Sequence, residues 1–252
     1  MKVEYIELGQ AYSEAQLKVY WQETPAPMIM ICPGGGYISY LEEETESVAR
    51  FFLGKGYHVS VLYYSLGIVN GKLPIPMIEA AKSIGVFKEN AEHWRIKNAD
   101  IFVLGLSSGG HIASYLATQW DSSSIKNWMK DNQNYCPTGV LLYNALLDLE
   151  PFPQRVKEDM AYKILLESTV GTESHEVISQ WDVSRHISSN TVPLWVYAEK
   201  SNPYINLNTT LKLLSKLEEN HISYEAHIEK MNSEYSNSLE MALNWLKNEL
   251  KL

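Results

Sequence analysis

The 252-residue chain has only two cysteines, Cys32 and Cys136, far apart and each beside an apolar run. Two such thiols fit a reducing compartment better than a disulfide framework. No apolar run approaches the ~18–20 residues that cross a bilayer. The first residues, Val3 to Leu8, alternate as a strand does and lack the basic-plus-apolar pattern of a leader. Cations are scarce: 21 Lys and Arg face 30 Asp and Glu, a formal charge of −9 that repels phosphate backbones and anionic lipid heads. Internal repeats, low-complexity segments and metal-spaced His/Cys clusters are also missing. The expectation is a cytoplasmic protein with no nucleic-acid or membrane partner and no metal or other cofactor.

What is present is an alternation of strand and helix patterns, which predicts an α/β domain with a mostly parallel sheet and helices on both faces. Its length fits one domain over residues 1–252. Val3–Leu8 and Gln16–Trp21 read as an antiparallel edge, and Met28–Cys32 as a strand buried on both faces. The pattern continues with a helix at Glu43–Lys55, a strand at His58–Tyr63 and a helix at Ile75–Ala91. A strand at Asp100–Leu106, a helix at Gly109–Gln119 and a strand at Val140–Tyr143 follow. From about Leu146 to Gln180 the pattern weakens, with a helical stretch only near Lys157–Leu166, and reads as a partial cap over the strand ends. Strand Val192–Ala198, helix Asn208–Glu219, strand Ser223–Glu229 and helix Ser236–Leu250 complete the chain.

Two glycine-rich segments stand at strand ends. Gly105-Leu106-Ser107-Ser108-Gly109 is a G-x-S-x-G between a strand and a helix, where the glycines let the two elements approach and the serine takes the strained apex. The pattern alone is weak, and its context makes it strong. Pro33-Gly34-Gly35-Gly36-Tyr37 follows an earlier buried strand. There the N–H groups of Gly35 and Gly36, with that of Ser108, can meet a developing oxyanion. Alone, such a segment would be a glycine turn.

With these motifs the chain resembles the α/β-hydrolase group with H-G-G-G-like loops, which includes small bacterial acetyl esterases and carboxylesterases. The resemblance runs from about Pro27 to the C-terminus. It rests on Cys32 to Tyr37, Tyr63, Trp94-Arg95-Ile96, and Gly105 to His111, with Pro33 in place of the common loop histidine. It implies Ser107 as nucleophile, a triad acid after Val192–Ala198 and a histidine before the last helix. A gapless match puts Asn202 at the acid position and Glu234 at the histidine position. An amide cannot carry the charge that steadies an imidazolium. A carboxylate of pKa about 4.3 is a far weaker base at neutral pH than imidazole.

The chain's histidines offer little replacement. His58, His93 and His221 precede strands and belong at the edge opposite the site, as does His186 shortly before Val192. His111 and His227 occupy positions where the family often has a histidine that is not the base. His175, in the weakly patterned segment, remains as a substitute base, although an exposed loop histidine is the commoner reading. Asp148, after Val140–Tyr143, could act as an alternative acid but has no base to orient. Two functions follow: a hydrolase of small acyl or acetylated-sugar esters working through Ser107, or an impaired descendant that binds a small ligand such as a carbohydrate.

Overall fold

The computed structural model of the chain describes residues 1–9, 14–67, 70–129, 133–150, 159–200, 202–230 and 235–250. Eight strands form one sheet: β1 (Lys2–Glu7), β2 (Gln16–Trp21), β3 (Ala26–Cys32), β4 (His58–Tyr63), β5 (Ile96–Leu106), β6 (Gly139–Tyr143), β7 (Leu194–Glu199) and β8 (Tyr224–Glu229). Their spatial order is β1-β2-β4-β3-β5-β6-β7-β8. β1 and β2 are antiparallel, β2 meets β4 antiparallel, and β3 to β8 run parallel.

The parallel strands divide their side chains between two cores. On β3, Met28, Met30 and Cys32 join one cluster while Ile29 and Ile31 join the other, and all are buried. This two-faced burial is why the strand is one unbroken apolar run. Helices α2 (Ile75–Glu89) and α3 (Ser108–Gln119) cover the first face with Met77, Ile84, Ile112 and Leu116. α7 (Leu207–Glu219) adds Leu213 and Leu217 to the same core. The second face is covered by α1 (Glu42–Gly54) through Val48, Ala49 and Phe52, and by α8 (Tyr235–Glu249) through Leu239, Leu243 and Leu246.

The expected elements are present with shifted ends. β5 starts at Ile96, not Asp100, because Ile96 pairs with Ala26 beyond an irregularity in the ladder. β7 starts at Leu194, since Pro193 has no N–H to donate and only its carbonyl takes part, accepting Val140 N. Two short helices go beyond those expected, α4 (Ser123–Met129) and α6 (His175–Ser179). The weakly patterned segment holds α5 (Met160–Thr169) and α6, and a 3₁₀ turn at Val183–Arg185 follows it. Tyr162, Leu165, Leu166 and Ile178 of the segment lie in the first core with Val183 of the turn, and Thr169 O accepts Leu73 N at 2.9 Å. Residues 151–158 of the expected cap lie outside the described residues. Among the described residues no helix is long and apolar enough to cross a membrane.

After β3 the chain crosses to β4 on one side and later to β5 on the other. Such a reversal opens a crevice beyond the carboxyl ends of the strands, between β3 and β5. Both glycine-rich segments lie there.

Candidate active site

Ser107 joins β5 to α3 at φ 50°, ψ −114°. A non-glycine residue held in such a sparsely populated region costs roughly 1–3 kcal/mol and persists only where its surroundings fix it. They do so here: Ser107 N donates to Tyr143 O at 3.1 Å, and Ser107 O accepts from Gly110 N and Leu146 N at 2.9 Å each. The turn also requires its glycine at 109, where a Cβ would lie 2.0 Å from Cys32 O. Helix α3 is thereby pressed against the end of β3.

The Pro33–Tyr37 loop touches the same residue: a Cβ on Gly34 would lie 3.2 Å from Ser107 Cβ. Gly35, Gly36 and Tyr37 turn with φ of 134°, 66° and 64°. Of the three amides expected to face an oxyanion, that of Gly36 is engaged, donating to Ser108 Oγ at 2.9 Å. Among the described residues the N–H groups of Gly35 and Ser108 meet no acceptor. They stand within a loop and a helix N-terminus that both adjoin Ser107, the arrangement that receives negative charge.

Buried aromatic groups hold this loop. Tyr64 OH donates to Pro33 O at 2.9 Å, and Tyr40 OH donates to Tyr64 O. Tyr37 OH meets His111 Nδ1 at 2.8 Å, and His111 Nε2 lies 2.8 Å from Trp181 O. A carbonyl only accepts, so Nε2 carries the proton and Nδ1 accepts from the tyrosine. Burial pushes His111 down to about 4, so this imidazole is neutral and both its nitrogens are occupied.

On the other side of Ser107, Asn144 follows β6 at φ 44°. Its Oδ1 accepts Glu199 N at 2.9 Å and its Nδ2 donates to Glu199 Oε2 at 3.2 Å. Glu44, in the first turn of α1, is held above the usual carboxylate range by burial and then by the Glu199 charge. Tyr143 and Tyr197 stack beneath at 4.6 Å, and Ser238 Oγ donates to Tyr143 OH at 3.2 Å. Sequence reasoning missed Asn144, Glu199 and Glu44. The available signal was a polar residue immediately after the all-apolar β6 and another closing β7 at the same edge.

Asn202 lies in the loop from β7 to α7, but its side chain serves that loop: Oδ1 accepts Tyr204 N at 2.9 Å and Ile205 N at 3.2 Å. Glu234 lies outside the described residues. Among the described residues no imidazole nitrogen is within hydrogen-bond distance of Ser107 Oγ. His58 contacts Gln22 N and Arg95 O, His93 contacts Glu4, and His186 contacts Gln180 O. His227 contacts Glu225, and His175 Nδ1 lies 2.9 Å from Glu150 Oε1 with its side chain 79% exposed. Asp148 is raised to about 6 by burial and next by the charge of Asp182, which itself is paired with Lys212 at 2.6 Å.

The BD-FAE family model matches residues 17–217. Endo-1,4-beta-xylanase B of Butyrivibrio fibrisolvens is 20% identical over 204 residues, 79% of this chain and 31% of that protein. An acetylxylan esterase of Xylanibacter ruminicola is 27% identical over 111 residues, 42% of this chain and 22% of that protein. The chain thus spans less than a third of the length of either curated relative. Among solved structures, a lipase/esterase from Lactobacillus plantarum superposes with a TM-score of 0.82 at 21% identity, covering 99% of this chain and 98% of that one.

Proposed function

The chain belongs to the BD-FAE family and has the α/β-hydrolase fold, and from that premise we propose that it is a carboxylic-ester hydrolase of small acyl esters, acetylated sugars foremost, with Ser107 as nucleophile. One observation carries the reading. A strained serine at a strand–helix junction stands against a glycine loop, and two adjoining amides lack acceptors among the described residues. The acetylxylan esterase relative supports the choice of an acetylated sugar.

In this reading Ser107 Oγ attacks the ester carbonyl carbon and loses its proton, and the carbonyl oxygen gains charge beside the Gly35 and Ser108 amides. Collapse of that intermediate breaks the carbon–oxygen bond to the sugar, which leaves as an alcohol after taking a proton. Water then cleaves the acyl-serine. The amides serve both tetrahedral stages, and each such donor contributes about 10²–10³ in rate where it has been removed. The proton lost by Ser107 calls for a base, and the proton taken by the leaving alcohol calls for that base's conjugate acid. With Asn202 and Glu234 in the partner positions, turnover is slow.

The assay is hydrolysis of 4-nitrophenyl acetate and of an acetylated xylo-oligosaccharide, with Ser107→Ala as control. The expected result is slow release of acetate that vanishes in the variant; equal release by both proteins contradicts the reading. A second reading, binding of the acetylated sugar without turnover, is favoured by the lack of an imidazole at Ser107 among the described residues. Calorimetric binding of the oligosaccharide with no acetate released would select it.

A further inference from the structure

Helix α3 reaches back to the glycine loop with two side chains spaced i, i+3 on one face, Ser108 and His111. The His111 contact ends on Tyr37, at the far end of the loop's turn. The Ser108 contact is more direct. Its Oγ accepts the Gly36 N–H at 2.9 Å, with Tyr64 OH 3.5 Å from the same oxygen. Ser108 is 1% exposed, so this bond forms beneath the loop and out of competition with water. Tyr64 OH also donates to Pro33 O, so the two ends of the Pro33–Gly36 segment are fastened to one buried polar group.

We propose that the Ser108 side chain is a positioning residue: its hydroxyl turns the Gly36 N–H inward and so sets the loop geometry that leaves the Gly35 and Ser108 amides for the substrate oxygen. The proposal rests on the reading of Ser107 as acyl acceptor and deepens it. A residue with an apolar side chain at this position would give the site its backbone N–H alone. Here the same residue gives an amide and also fastens the loop that carries the second amide.

The test uses the full chain labelled with ¹⁵N-glycine, as wild type, Ser108→Ala and Ser108→Thr. Amide exchange at Gly36, the resonance of Gly35 and the rate of Ser107 labelling by a small fluorophosphonate are read for each. In Ser108→Ala the Gly36 amide should exchange about tenfold faster, the loss of one hydrogen bond. The Gly35 resonance should shift, and labelling should slow by about 10- to 100-fold, approaching the effect of losing an oxyanion donor. Ser108→Thr, which keeps the hydroxyl, should restore all three. Unchanged Gly36 exchange in Ser108→Ala overturns the proposal. So does faster exchange with the Gly35 resonance and labelling rate unaltered, which would make the bond a packing contact only. If wild type takes no label, the ester reading fails, and Gly36 exchange with the Gly35 resonance decides the role of Ser108 alone.

Discussion

The ends of β3 and β5 and the end of β7 lie at the same edge of the sheet, yet they differ in what their polar groups do. At β3 and β5, Ser107 is held in a strained turn, and Tyr37, Tyr64, Ser108 and His111 form a buried network around the loop. At the end of β7 the side chain of Asn202 is tied to its own loop, and Glu199 is paired with Asn144. In the proposed function the first half binds and polarises a carbonyl, while in the second half the position matched to the triad acid carries an amide. That function therefore separates binding geometry from proton transfer.

The sharpest way to break this contrast is to rebuild the second half. Asn202→Asp with Glu234→His should raise ester turnover by about 10³-fold, since changing a triad acid to its amide costs ~10⁴ in a serine protease. Turnover of 4-nitrophenyl acetate measures it. No gain would mean that the two positions are not the ones that once faced Ser107.

Acidification separates the halves in a second way. His111, in the first half, has a folded value of about 4 against 6.5 when free, set by burial. Its contribution to stability is full above pH 6.5 and declines as pH falls through 4, by about 3 kcal/mol. Asp148, beyond β6, has a folded value of about 6 against 3.8, set by burial and then by Asp182. Its contribution is full below pH 3.8 and is lost as pH rises through 6, also by about 3 kcal/mol. The two slopes oppose each other between pH 4 and 6. Asp148→Asn removes one of them, so stability at pH 7 should rise by about 1–2 kcal/mol. Urea midpoints of the variant should then fall on acidification from pH 6.5 to 4. A variant midpoint that stays flat across that range would contradict the assignment.

A smaller effect probes the strained half. Ser107→Gly relieves roughly 1–3 kcal/mol of backbone strain and gives back 0.5–1 kcal/mol in chain entropy. The variant should be about 1 kcal/mol more stable in urea, and it should take no phosphonate label. An unchanged or lower midpoint would show that the turn is not strained by its serine.

How legible each half is follows from local pattern. Met28–Cys32 and Val140–Tyr143 can be read because burial on both faces makes them continuous apolar runs. The first residues of β5 cannot, because Lys97 and Asn98 are exposed and Asn98 and Ala99 take φ of 56° and 54°. α4 buries only Ile125, which leaves no apolar stripe to detect. The Asn144–Glu199 pair joins residues 55 apart through the β6–β7 register, and no local spacing announces it. The engagement of the Gly36 amide depends on a side chain 72 residues away, so the sequence suggests three amide donors where the structure leaves two.

The most direct measurement is a crystal structure of the protein carrying a small phosphonate on Ser107. The predicted result is a covalent adduct whose phosphoryl oxygen lies about 2.7–3.1 Å from the amide nitrogens of Gly35 and Ser108, with the Gly36 amide still on Ser108 Oγ. An adduct whose oxygen points away from both amides, or no adduct at Ser107 under saturating reagent, would contradict the account.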